Sequence, residues 1–376
     1  MKISALIAEF NPFHSGHKLL VDSMRSKSDA VVAIMSPNFV QRGECALFDK
    51  SERALSAIEN GVDLVLELPT VYALSSAEGF ARGAVETLCH CGIIDELWFG
   101  SELGELLPLQ ECAEILNDEP AVFKAILAEK LSEGLSFPAA RHMALRETMH
   151  GNVPDAMPNN ILALEYLRVL KKLSSGIVPV TIKRVGSGYN DSNVKGEIPS
   201  ASAIRRLLAE GEDASGYMMH VYAAHPVFMH QFDVMVASRL KTISHEELCR
   251  IPDCNSEIAS RLKDAGVYNT FKDIVSHASC RRYTDSRLRR ILCNMIIGNN
   301  FKQLPSPQYI RPLAFNSAGG EILRKMKNTA SLPVAARGAI LKNNDIFNLE
   351  CRATDIYNLA RKEKGGQEFS TAVQRL

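Results

Sequence analysis

The sequence predicts an α/β fold in which a Rossmann-like domain with a parallel sheet is followed by a mainly α C-terminal domain. Three observations carry that prediction. Through the first half, short and nearly continuous apolar runs alternate with longer helical patterns, as expected of strands buried on both faces and the helices that cover them. From about residue 215 the strand signal fades while helical periodicity continues. The length, 376 residues, exceeds one core of ordinary size, so two domains are expected, 1–212 and 213–376.

Taken in order, Ile3–Ala8, Ala30–Met35, Asp63–Glu67 and Glu96–Phe99 read as the first four strands, with helices near 17–27, 49–60 and 75–91 between them. A helical stretch covers roughly 104–172, punctuated at Pro120, Gly134, Pro138 and Gly151. Val178–Val185 reads as a fifth strand, ended by Gly186-Ser187-Gly188, and the polar run Asn190–Gly196 as a loop. Pro199-Ser200-Ala201-Ser202 is a helix start ahead of the apolar-periodic Ile204–Leu208. Val236–Leu240, Glu257–Leu262, Arg287–Ile297, Glu321–Met326 and Ile356–Arg361 are helical in period, and the tail from Gln367 is expected to fray.

A hydrophobic content of 46% and a charged content of 23% exclude a disordered, collagen-like or purely coiled-coil chain. The net charge is zero, with 43 basic and 43 acidic residues, but the two signs are separated. Residues 1–150 hold 12 Lys+Arg against 22 Asp+Glu, and the other 226 hold 31 against 21. The basic second part suits a polyanionic partner. Nine cysteines without a Cys-x-x-Cys, only Cys89-His90-Cys91 lying close, fit reduced thiols in a cytoplasmic protein. Ile3–Ala8 is too short for a signal peptide and runs into Glu9. No apolar run approaches the roughly 20 residues that cross a bilayer, so no membrane partner is expected.

The sharpest segment is Ile7-Ala8-Glu9-Phe10-Asn11-Pro12-Phe13-His14-Ser15-Gly16-His17, which follows the first strand and opens a helix. Open α/β sheets bind ligands at the carboxyl ends of their strands, and helix N-termini attract phosphate. His14 and His17, three apart, place two imidazoles in one helical turn, able to donate hydrogen bonds to phosphate oxygens as charge builds at phosphorus. Gly16 leaves room for a nucleotide against the backbone. A second segment, Ser200-Ala201-Ser202-Ala203-Ile204-Arg205, offers hydroxyls, N-terminal amides and a guanidinium to further phosphates. Other strings fall on the same rim of the sheet: Ser36–Glu44, Glu67-Leu68-Pro69, Tyr72-Ala73, Ser76–Ala81, Phe99-Gly100-Ser101-Glu102, Pro158–Leu162 and Arg184. No Walker motif and no acetyl-CoA pyrophosphate loop occurs.

His14-Ser15-Gly16-His17 resembles the H-x-G-H signature of the nucleotidylyltransferase superfamily, and Ser200–Arg205 resembles its second signature. With the intermediate strings, and with Arg282-Tyr283-Thr284, Tyr309–Asn316 and Glu350–Asp355 farther on, the chain closely resembles the tRNA(Met) cytidine acetate ligase family over nearly its whole length. The departures are Ser15 where Asn is frequent, Pro37 where Gly is frequent, and Lys50-Ser51 where Lys-Trp is common. The resemblance implies a nucleotidylyltransferase-type domain and ATP-dependent acetylation of N4 of the wobble cytidine of elongator tRNA(Met). Free acetate would be the acetyl source, passing through acetyl-adenylate. It implies that ATP lies along Ile7–Leu20, including Lys18, Leu19 and Leu20 beyond the histidines. Gly100 would lie under the adenosine, Asn159 or Asn160 nearby, and Arg184 and Val185 would complete the site. His14, His17, Ser202 and Arg205 take the catalytic roles. Mg2+ is expected with the triphosphate, without a dedicated carboxylate cluster or other protein ligands.

The basic C-terminal part fits a tRNA partner. Arg281, Arg282, Arg287, Arg289 and Arg290, with Tyr283 among them, form a candidate patch for gripping phosphates and stacking a base. Arg324, Lys325, Lys327, Arg361, Lys362 and Lys364 are further candidates. Two other readings compete: an adenylyltransferase of a small phosphorylated cofactor precursor, and an RNA-binding protein with a vestigial nucleotide site. The first has no need of a basic α portion, and the second has no need of intact His14, His17, Ser202 and Arg205. The sequence leaves the oligomeric state open.

Overall fold

A computed structural model describes residues 1–151, 153–184 and 200–376. Among these the strands are β1 Ile3–Ala8, β2 Ala30–Met35, β3 Phe39–Val40, β4 Glu44–Cys45, β5 Leu64–Glu67, β6 Glu96–Ser101, β7 Val178–Lys183, β8 Pro312–Phe315 and β9 Gln374–Arg375. The main sheet runs in the order β7-β6-β1-β2-β5-β8-β9. Its first five strands are parallel, in register from Ile3 against Ala30 and Ser4 against Glu96. β8 adds antiparallel to β5, and β9 pairs parallel to β8. No described helix is long and apolar enough to cross a membrane.

The five expected strands are thus β1, β2, β5, β6 and β7. Alternation along them feeds two layers. Ile3, Ala5, Val32, Ile34, Leu64, Leu66, Leu97 and Phe99 pack beneath the helices Ala77–Cys91 and Pro158–Lys172. Leu6, Val31, Ala33, Val65 and Trp98 face the other way, onto Val21 and Met24 of the helix Ser15–Arg25 and Ala54 and Ala57 of the helix Lys50–Glu59. The 104–172 stretch resolves into the helices Leu106–Asp118, Ala121–Ser132, Phe137–Thr148 and Pro158–Lys172.

After residue 213 the helices Asp233–Thr242, Ser256–Ala265, Phe271–Ala278, Asp285–Ile296, Ser317–Thr329 and Asp345–Arg361 match the helical periodicity. β8 and β9 are an addition to the mainly α expectation: the second part of the chain also extends the sheet. Pro312-Leu313-Ala314-Phe315 is four residues opened by a proline, and Gln374-Arg375 is a polar pair, so neither carries a strand pattern of its own. The apolar core of the α region, with Phe232, Leu240, Ile258, Leu288 and Ile291, is continuous with that of the sheet.

A buried charge cluster fastens the two parts. Lys50 is 5% exposed, and its Nζ lies 2.5 Å from Glu67 at the end of β5, 2.9 Å from Glu350 and 2.5 Å from Glu368. Arg311 Nη1 reaches Glu67 at 3.0 Å and Glu368 at 2.5 Å. Thr70 donates its amide and hydroxyl to Glu350 at 2.8 and 2.7 Å. Burial alone would raise the Glu368 carboxyl, but Lys50 and Arg311 draw it down to about 2. Burial raises Glu350, against the pull of Lys50.

Lys50→Met leaves these carboxylates short of one cation in a dry site and is expected to cost about 3–5 kcal/mol. Urea unfolding measures this; a change under about 1 kcal/mol would show that the ammonium is not what offsets the buried carboxylates.

Candidate active site

The strand order reverses at β1, whose carboxyl end lies between those of β2 and β6. Such a switch point is where open α/β sheets form a ligand crevice. A cavity of about 500 Å3 opens there. Ile7, Ala8 and Glu9 leave β1 along its floor, His14 and His17 flank it, and Ser200, Ala201, Ser202 and Arg205 approach from the helix Ala201–Ala209.

The entry turn is held tightly. Phe10 is fully buried at φ +45°, in left-handed space that a bulky residue adopts only under constraint. Asn11 Oδ1 accepts from Leu47 N at 2.8 Å, and Arg53 donates to the Glu9 carbonyl at 2.6 Å. His14 then caps the helix Ser15–Arg25, its Nδ1 accepting from Gly16 N at 3.0 Å. His17 Nδ1 accepts from His14 N at 3.3 Å, closing a reciprocal capping box. With both Nδ1 atoms accepting, neutral rings carry their protons on Nε2, the edge left for a ligand. The ring centroids lie 4.0 Å apart. Burial, with Arg184 and Arg205, lowers His14 to about 4; burial, with His14 and Arg184, holds His17 well below its ordinary value. At neutral pH the pair is two uncharged donors.

The 7–20 stretch contacts the cavity more narrowly than the sequence implied. Ile7, Ala8, Glu9, Phe10, Asn11, His14, His17 and Leu20 line it. Pro12 and Phe13 are buried away from it, and Gly16 gives its amide to His14. Lys18 pairs with Asp22, Leu19 is 44% exposed, and Ser15 also falls off the lining. Helical rotation places only one side of that first turn toward the sheet end.

At the second signature, Ser200 caps its helix by accepting from Ala203 N at 3.2 Å. Arg205 donates to the Asn11 carbonyl at 3.0 Å and to Ser202 Oγ at 3.1 Å, which ties this helix to the histidine turn. On the opposite side, a Cβ on Gly100 would stand 3.0 Å from Arg184 Cγ, so the glycine makes room for that arginine. Arg184 Nη1 donates to Asn159 Oδ1 at 3.3 Å. The two asparagines separate. Asn159 lines the cavity, whereas Asn160 is 3% exposed and withdrawn from it. Its Oδ1 accepts from Glu102 N and Leu103 N at 3.0 and 3.2 Å, and its Nδ2 donates to the Asp155 carbonyl at 3.1 Å. Val185 lies outside the described residues.

The basic cluster of the second part does not form one patch. Arg281 and Arg282 are exposed. Tyr283, expected as a stacking surface, is 4% exposed; its hydroxyl donates to Glu257 at 2.6 Å, and the Arg287 guanidinium sits 5.5 Å from its ring. Arg287 itself donates to the Asp253 carbonyl at 3.1 and 2.8 Å. Arg289 pairs with Glu44, which also stands 4.0 Å from Arg205, and Arg290 turns inward to line the cavity. Arg361, another candidate, pairs with Asp49 and Glu363. Sequence reading missed Phe137, Arg141, Glu165, Tyr166 and Ser286 on the lining, and gave Thr284, quoted only in the family string, no place in the nucleotide site. Phe137, Arg141 and Ser286 lie at or near helix starts, whereas Glu165 and Tyr166 sit in the middle of a helix and carry no such signal.

Comparison with known proteins agrees with this geometry. Residues 1–371 match the HIGH Nucleotidyl Transferase family. The tRNA(Met) cytidine acetate ligase of Acetivibrio thermocellus is 37% identical, covering 99% of each chain. That of a Thermoanaerobacter species is 38% identical, covering 96% of each. The crystal structure of Thermotoga maritima TmcAL bound with alpha-thio ATP superposes with a TM-score of 0.90 at 31% identity over 100% of both chains.

Nitrogen-15 spectra of histidine-labelled protein at pH 7 should show both rings neutral and protonated on Nε2, with His14 titrating near pH 4. An imidazolium at pH 7 would contradict the donor assignment.

Proposed function

Since the chain belongs to the tRNA(Met) cytidine acetate ligase family, we propose that it joins acetate to N4 of the wobble cytidine of elongator tRNA(Met), with ATP cleaved to AMP and pyrophosphate. The observation that carries the reading is the pair of neutral imidazoles at the switch point of the sheet, lining one cavity with Ser202 and Arg205.

The reaction runs in two steps. An acetate oxygen attacks the α-phosphorus, the bond to the β-phosphate breaks, and acetyl-adenylate and pyrophosphate form. The exocyclic amine of cytidine then attacks the acetyl carbonyl, loses a proton and displaces AMP. Neither step needs a side-chain nucleophile, so the protein contributes position and charge stabilisation. His14 and His17 direct Nε2–H donors to the α-phosphate oxygens, where charge grows in the first step. Being neutral, they do not bind the ground-state triphosphate as cations would. Ser202 and Arg205 hold the leaving pyrophosphate, supported by the tie from Arg205 to the Asn11 carbonyl. Gly100, Asn159 and Arg184 form the nucleoside end.

Mg2+ belongs to this reading as a companion of the triphosphate. Of the three carboxylates on the cavity wall, Glu9 accepts from Gln41 N at 2.9 Å, Glu165 pairs with Arg141 at 2.5 Å and Arg168 at 2.6 Å, and the exposed Glu78 stands 3.8 Å from Arg168. Glu67, Glu350 and Glu368 stand close enough together for a metal, but Lys50 fills the centre of that group. The described residues therefore fit a metal carried by phosphate oxygens better than one held in a protein cage.

Mass spectrometry of tRNA(Met) after incubation with the protein, ATP and isotopic acetate should show one labelled acetyl group on the wobble cytidine. Unlabelled tRNA together with adenylylation of a small phosphorylated acceptor would replace this reading with a small-molecule adenylyltransferase.

A further inference from the structure

The start of the helix Asp285–Ile296 brings Thr284, Ser286 and Arg290 to the cavity lining, residues that the nucleotide motifs do not include. Arg290 is 8% exposed, a degree of burial that arginine tolerates when it is fully paired. Here the pairing is thin. Nη1 reaches the Gln41 carbonyl at 3.5 Å, Nε is buried without a hydrogen-bond partner, and the nearest Asp253 oxygen is 3.9 Å away. The position is nevertheless fixed. Gly43 lies at φ +72° directly beneath, where a Cβ would come within 2.4 Å of Arg290 N. The Gln41–Gly43 turn is therefore pressed against the helix at this point.

Thr284 is the N-cap, yet its side chain makes no capping hydrogen bond. Its hydroxyl instead lies 3.3 Å from that of Ser286. One cavity wall thus presents a helix N-terminus of twelve residues, two hydroxyls and a buried, under-paired guanidinium. Helix amides and arginine both favour phosphate, and arginine can bind it through two parallel hydrogen bonds.

We infer that Thr284, Ser286 and Arg290 form a second phosphate-binding wall of the cavity, adjoining Arg205 through the Glu44 carboxylate that Arg205 and Arg289 share. The inference rests on reading the cavity as the place where ATP and tRNA meet. Either can supply the group, ATP from its triphosphate or tRNA from its backbone beside the acceptor nucleotide.

The test titrates ATP without tRNA, and tRNA without ATP, against the wild-type chain, Arg290→Gln and the Thr284→Ala/Ser286→Ala pair. The pair leaves the arginine in place should its replacement perturb the helix. One of the two ligands should bind about tenfold more weakly or worse to each variant, the size expected for a lost charge-assisted contact. Weaker ATP binding assigns the wall to the triphosphate. Weaker tRNA binding with ATP unaffected assigns it to an RNA phosphate. Variants with wild-type circular dichroism and melting temperature that bind both ligands as tightly as wild type overturn the inference. They would leave the ligase reading standing, because labelled acetate decides that separately.

Discussion

The structure depends on hiding one ammonium. Lys50 begins a helix that covers the sheet, and its charge lies where water does not reach. A lone buried cation is too costly to keep, so its partners must come to it. They come from the end of β5 and from positions 350 and 368, nearly the whole chain apart. Satisfying Lys50 and Arg311 therefore draws the last residues of the chain onto the sheet, where β8 extends it beside β5. The apolar core continuous with this junction carries the helix Asp285–Ile296. The cavity is thereby lined from both halves.

The same economy of charge shapes the site. Five arginines, Arg42, Arg141, Arg184, Arg205 and Arg290, line one cavity. Burial, with the field of Arg184 on both rings and of Arg205 on His14, keeps the two imidazoles uncharged. In the proposed reaction, binding of a polyphosphate falls to the guanidiniums, while the imidazoles respond chiefly to charge that develops on the α-phosphate. Binding and acceleration are thus assigned to different groups, which is what differential stabilisation of a transition state asks for. Each group is also tied to the backbone: the histidines by mutual capping, Arg205 through Asn11.

The sheet was legible because buried parallel strands are written as apolar runs, as β1, β2, β5 and β6 are, while β7, half-exposed at the sheet edge, alternates instead. The histidine turn was legible because its residue types and spacing are specific. Less was legible where meaning depended on direction. Arg281 and Arg290 belong to one basic cluster, but one is exposed and the other lines the cavity, and that follows from helical phase against neighbours the sequence does not name. Asn159 and Asn160 are adjacent, yet only the helix start decides which meets the cavity. β8 and β9 escaped because a strand that joins an existing sheet edge needs little pattern of its own. The zero net charge, read over the whole chain, concealed an acidic part and a basic part.

The central claim is that two neutral imidazoles stabilise charge at the α-phosphate during formation of acetyl-adenylate. Acetate-dependent exchange of labelled pyrophosphate into ATP, in the absence of tRNA and at saturating ATP, isolates that step. Exchange should proceed in the wild-type chain and fall by roughly 10²–10³ in His14→Ala and in His17→Ala, as for the loss of one preorganised donor. A folded double variant that exchanges at the wild-type rate would contradict the account.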